Sequence, residues 1–281
     1  MQRLKSLSVT AGSFPCRRLA ELEGLAVPSK PRKSLVKTVP KFKTHREASA
    51  WAVDNNVAQY SSFKGVDPAI ARDWIQGAID TKARVPGLKM DFIGTAQERN
   101  RYVKDMMRPK AEEWASRFYE PGTKSHARMV SRYLRKLVPP MRPRDVAVSF
   151  GGPGMGGVGI NAKFGKRIED FTDMVRRNME SGWWSRSDKP TVAHIISHEM
   201  GHEIDRLFDL RKDRRFIDLY RSHDVMRELS EYGSRSIAEM IAEGWAEYTG
   251  SSKPRPLATQ IGKIIEEAIS ESERFGKTTS A

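Results

Sequence analysis

Between Thr191 and Asp213 the chain carries His198-Glu199-Met200-Gly201-His202, and no other stretch constrains its folding as much. Residues four apart on a helix share a face one turn apart. Both imidazoles can therefore reach one cation while Glu199 reaches a water beside it. At about 100° per residue, His194, His198, His202 and Asp205 fall on one side of such a helix. Val192, Ala193, Ile196, Met200, Ile204 and Leu207 fill the other. One side is built for a core and the other for chemistry. The alternative is a set of core histidines satisfied by hydrogen bonds, but these seldom recur at metal spacing on a face free of aliphatic side chains.

The rest of the composition narrows the setting. With 281 residues and 38% hydrophobic content the chain can bury a core. The net charge of +14 is uneven: residues 1–46 hold eleven Lys or Arg against Glu21 and Glu23, which leaves +9 in that segment. Such an arm is expected to be a solvated tail. Non-specific attachment to nucleic acid or an anionic surface is its second reading. The first twenty residues imitate an organelle transit peptide but lack the apolar run of a secretory signal. No apolar stretch approaches the roughly 18 residues of a membrane span. These features predict a soluble protein made in a cytoplasm. Cys16 stands alone, so any metal must be held by His and carboxylate.

Taken in order, the pattern predicts a short helix over 44–60 and a better one opened by Asp67 and Pro68, ending near Pro86-Gly87. A strand is expected over 88–93. A long helix then starts at Thr95 and should break or kink at Pro109. A further helix covers 125–137. Residues 146–150 and 158–164 read as a hairpin, with a glycine-rich connection between them. Gly154, Gly156 and Gly159 match the dinucleotide fingerprint formally, but a strand follows where a helix is required. Helices are expected over 168–179, from 191 onward, around 216–220 and over 257–275.

A catalytic zinc needs three protein ligands and one open position. Phe208 stands where a third histidine on the same loop would fall, so the search turns to carboxylates. Ser236 can cap a helix on which Glu239 and Glu243 rise one turn apart on one face. One of these can bind metal while the other orients a ligand histidine. Glu239 could instead merely close a capping box with Ser236, and Glu243 and Glu247 could be exposed charges. His194 reads as a supporting group or a partner for substrate, because three histidines on one straight helix rise too far to converge.

The sequence from His198 to Asp205, followed by Tyr232-Gly233 and then by Ala238 to Trp245, resembles the catalytic domain of anthrax lethal factor and its relatives, zinc peptidases of the gluzincin group. The resemblance covers about residues 190–250. It implies Glu199 as general base, Glu239 as third metal ligand beside His198 and His202, Tyr232 as helper in the transition state, and supporting roles for Asp205 and Glu243. Residues 1–140 also look like the helical segments in front of peptidase-like domains of bacteriophage head-associated proteins. That likeness implies a virion-associated or host-delivered chain.

The expectation is an α+β, zincin-like fold. It comprises a basic arm (1–46), a mainly helical region (47–140) and a metallopeptidase domain (141–281) with a small twisted sheet. The expected activity is zinc-dependent endopeptidase cleavage of a peptide or protein, with one Zn2+ and with substrate paired to the edge of strand 158–164. The alternative is a catalytically silent relative that acts as a structural or nucleic-acid-associated phage protein through its basic arm.

Overall fold

The helix starts read from the sequence are the caps that the chain uses. In the computed structural model, which describes residues 38–138, 140–151 and 156–278, Asp67 accepts from the backbone of Ala69 and Pro68 opens helix α2 (Pro68–Arg84). Thr95 caps α3 (Ala96–Ser116), Thr191 caps α6 (Val192–Phe208) and Ser236 caps α9 (Ile237–Gly250), while α4 (Lys124–Leu137) is capped by Thr123, two residues before the start read at 125. In each case a short side-chain oxygen takes one of the amide hydrogens that the first helical turn leaves free. Helices α1 (His45–Asp54), α5 (Ile168–Glu180), α7 (Arg214–Ser222), α8 (Val225–Glu228) and α10 (Pro256–Thr278) complete the set.

Several expectations are corrected. The first helix stops at Asp54 rather than running to 60, because Asn56 turns left-handed with φ 57° and the Val57 amide folds back onto Ala52. Asparagine tolerates that conformation where most residues do not. Residues 60–62 then form a strand. Pro109 does not break α3. Ala111 and Ala115 beyond it pack on Val130 and Leu134 of α4, and this small core holds the helix through the exposed proline. Helix α6 ends at Phe208, where Asp209 adopts the left-handed conformation at φ 55°.

Among the described residues, strands β1 (Tyr60–Ser62), β2 (Phe92–Thr95), β3 (Ala147–Phe150) and β4 (Gly157–Ile160) form one mixed sheet in the order β1-β2-β4-β3. The expected hairpin is present, with Ala147 opposite Ile160 and Phe150 opposite Gly157. Its partners were not foreseen: β4 also pairs parallel with β2, which pairs parallel with β1. Strand β4 is thus interior and β3 is the edge, the reverse of the arrangement expected for substrate pairing. Gly157, at φ 143°, is required there, since a Cβ would lie 1.9 Å from the Phe92 carbonyl oxygen. The formal dinucleotide fingerprint falls partly outside the described residues, and its last glycine lies inside β4 with no helix following.

The fold is α+β, but its parts do not divide at residue 140. Strands β1 and β2, from the supposed helical region, complete the sheet of the later segment, and α2 packs on α6. Val39 is buried and Phe42 stacks near Trp51, so residues 39–46 belong to the body rather than to the basic arm. The rest of the arm, residues 1–37, lies outside the described residues. One core runs through Trp74, Ile75, Ile93, Ile160, Ile196, Met200, Ile204 and Trp245. Among the described residues no helix is long and apolar enough to cross a membrane.

Candidate metal centre

Helices α6 and α9 cross at Gly201. A Cβ at this position would meet the Ala242 Cα at 2.8 Å, so a glycine on one rod and an alanine on the other set how closely the two can approach. The apolar side of α6, with Ile196, Met200 and Ile204 fully buried, faces the core. The opposite side turns His198 and His202 toward α9, and Ser236 starts α9 so that Glu239 lies one turn in. The Glu239 amide donates to the Ser236 hydroxyl at 3.2 Å, but its carboxylate faces the imidazoles instead of closing a capping box.

Glu239 Oε2 stands 3.3 Å from His198 Nε2 and 3.3 Å from His202 Nε2. The two rings are nearly perpendicular, with centroids 4.9 Å apart. A four-coordinate ion with bonds of about 2.0–2.2 Å sets neighbouring donors about 3.3–3.5 Å apart, which is the spacing seen here. Glu239 Oε2 is buried and accepts no hydrogen bond. An orphaned carboxylate oxygen aimed at two ring nitrogens is costly unless a cation joins them. His198, His202 and Glu239 can therefore hold a metal ion.

The electrostatics favour positive charge at the same point. Burial disfavours a charged imidazole at His198, yet Glu239 and Glu243 on either side raise its pKa well above the ordinary value. Burial pushes the Glu239 carboxyl up, but the two imidazoles overturn this and hold it well below the usual carboxylate range.

Glu243, the alternative ligand, stands behind His198. Its Oε1 is 2.8 Å from His198 Nδ1, a close contact without a straight N–H···O bond. Its Oε2 accepts from the Ser185 amide at 2.5 Å and from the Ser230 hydroxyl at 3.0 Å. Fixing Nδ1 in this way leaves Nε2 to face the metal position. Glu247 is engaged elsewhere, paired with Arg255 and with the Arg186 amide.

A cleft of about 730 Å³ opens over these donors. Glu199 is 6% exposed and lines it, and burial raises its pKa above the usual glutamate value. Tyr232 lines it too. Its ring centroid is 5.7 Å from that of His198, and burial, with Glu239 next, raises the phenol pKa far above the usual value. Asp205 is fully buried but is taken by Arg211, at 2.6 Å from the guanidinium and 2.9 Å from the amide. It thus supports the cleft wall through Arg211 rather than orienting a histidine. His194 is also apart from the cleft, 2% exposed with both ring nitrogens unpaired, and burial pushes its pKa down to about 4.

Two contributors escaped the sequence reading. The segment Ser181-Gly182-Trp183-Trp184 reads as a helix break, but its backbone carbonyls at Gly182 and Trp183 receive the amides of Glu231 and Tyr232. This lacing sets the tyrosine over the cleft. The Arg235 guanidinium stacks 4.5 Å from the Trp183 ring and 5.3 Å from that of Tyr232. Its place one residue before the Ser236 cap was the available signal. Comparison of the chain with protein-family models, curated proteins and solved structures finds no match.

Proposed function

We propose that this chain is a zinc-dependent endopeptidase of zincin-like fold. The observation that carries the reading is the convergence of His198, His202 and Glu239 beside a buried glutamate, Glu199, in an open cleft edged by a free strand. Zinc, when bound by those three, would acidify a water to a pKa of about 7 and polarise the scissile carbonyl.

The chain's own residues account for the remaining steps. Glu199, whose proton affinity is raised by burial, takes the proton of the attacking water and returns it to the leaving amine. Tyr232, kept protonated by its surroundings, donates a hydrogen bond to the carbonyl oxygen as that oxygen gains charge. Glu243 holds the His198 ring in place. An extended peptide pairs with β3, whose residues Ala147, Val148 and Ser149 line the cleft and whose outer edge carries no strand among the described residues. The likeness of residues 190–250 to the gluzincin pattern points the same way.

Zinc content and cleavage of a mixed peptide library test the proposal together. Glu199→Gln should keep its zinc and lose cleavage by about 10²–10⁴-fold. Undiminished cleavage by that variant removes Glu199 as the base. Absence of cleavage by the zinc-loaded wild type returns the chain to the catalytically silent alternative.

A further inference from the structure

Helices α3 and α4 form a hairpin that carries its own small core, Ala111, Ala115, Val130 and Leu134, separate from the main one. Residues 121–144 contain seven Lys or Arg and no Asp or Glu. On α4 the apolar positions Val130 and Leu134 turn inward, while Arg128, Arg132 and Arg135 fall within about 60° of one another on the outer side. Lys104 and Arg108 of α3 face Ser131 and Arg135 of α4 across a groove of about 720 Å³.

Charge on a protein surface is commonly offset by neighbouring charge of opposite sign. Arg101 and Arg117 on the same hairpin are paired in this way, with Glu98 and Glu113. The side chains of Lys104, Arg108, Arg128, Arg132, Arg135 and Lys136 make no hydrogen bond or ion pair with any described residue. Six unpaired cations on two adjacent rods are a standing cost in self-repulsion that a polyanion would relieve.

We infer that the α3–α4 hairpin binds the phosphate backbone of double-stranded nucleic acid without regard to sequence. The outer row from Lys124 to Lys136 spans about 18 Å at 1.5 Å per residue. A duplex presents one charge per about 1.7 Å of its axis, so several phosphates lie within reach. A lipid surface fits less well. Helices that bind anionic bilayers insert an apolar face beside their cations, whereas on α4 Val130 and Leu134 are buried against α3. The exposed Leu137 falls about 180° from Arg128, and the exposed Phe118 and Tyr119 lie in the turn between the two helices. The basic tract continues through Arg142 and Arg144, which line the metal cleft, so a bound duplex would pass beside its mouth. The binding itself does not depend on the peptidase reading, and the basic arm is a separate segment.

The test uses the full chain and a labelled mixed-sequence duplex of about 30 base pairs, titrated between about 50 and 200 mM salt. The triple variant Arg128→Gln, Arg132→Gln, Arg135→Gln should bind at least about tenfold more weakly and flatten the log–log salt slope by about 0.9 per lost contact. Its thermal midpoint should match wild type, since all three side chains are exposed. The variant Arg128→Lys, Arg132→Lys, Arg135→Lys should bind within about threefold of wild type, because non-specific affinity comes from the number of phosphates neutralised, which lysine does as well. The inference is overturned if wild type shows no binding at the lowest salt. It is overturned if the Arg128→Gln, Arg132→Gln, Arg135→Gln variant binds as wild type does; weaker binding by Arg17→Gln with Arg18→Gln would then place the contact on the arm. It is also overturned if vesicles rich in phosphatidylserine bind as tightly as the duplex and lose the glutamine variant equally.

Discussion

The α6–α9 crossing and the α3–α4 hairpin are both pairs of helices, and they handle charge in opposite ways. At the crossing, carboxylates are placed one by one: the half-buried Glu239 toward two imidazoles, and the buried Glu243 behind His198 and Glu247 against Arg255. Among the carboxylate oxygens of these three glutamates, Glu239 Oε2 is buried without a hydrogen-bond donor and points where a cation would sit. On the hairpin nothing is buried that carries charge along its outer rows, and cations outnumber the acids able to pair with them. A buried ionic site must satisfy every group because desolvation is expensive, whereas an exposed basic face can stay unpaired because water solvates it. The difference separates a site able to hold one small ion from a surface suited to an extended polyanion.

The contrast can be broken at its tightest point. If position matters at the crossing, Glu243→Gln should weaken zinc binding by about 10–100-fold, measured by competition with a chromophoric chelator, while duplex affinity is unchanged. A loss below about threefold would mean that His198 needs no carboxylate behind it. Gly201→Val should follow in size. Forcing a side chain against Ala242 costs about 1–3 kcal/mol and should lower the thermal midpoint by about 2–4 °C per kcal/mol, with zinc affinity falling too. An unchanged midpoint would show that the crossing can relax.

A smaller effect concerns His194, buried near the same crossing. Its folded pKa of about 4 lies below the unfolded value of about 6.5, so the unfolded chain takes up the proton first. The neutral ring costs nothing above pH 6.5, and stability is lost as pH falls from there toward about 4, at up to ~1.4 kcal/mol per pH unit. Thermal midpoints between about pH 7 and 5 should therefore fall more steeply in wild type than in His194→Leu. Parallel curves would contradict the burial argument.

What the sequence disclosed follows from the range of the interactions involved. His198 and His202, Glu239 and Glu243, and the caps at Asp67, Thr95, Thr191 and Ser236 are local patterns, set by a 3.6-residue period and by single side chains at helix starts. All of them occur where the spacing placed them. The assignment between Glu239 and Glu243 was not local. It depends on how α9 crosses α6, which Gly201 and Ala242 set across 41 residues of sequence. The three-residue strand β1 is too short for a period to show, and the parallel pairing β1-β2-β4 joins segments far apart in the chain. The edge position of β3 was invisible for the same reason. Asp205 was given a supporting role by resemblance, and its partner, Arg211, could not be read from the sequence.

The most direct measurement is the zinc content of the purified chain after exhaustive dialysis, wild type against Glu239→Ala. Two imidazoles alone should hold the ion weakly, so wild type is predicted to retain one zinc per chain and the variant little or none. A variant that keeps a full equivalent would place the third donor elsewhere and contradict the metal centre described for α6 and α9.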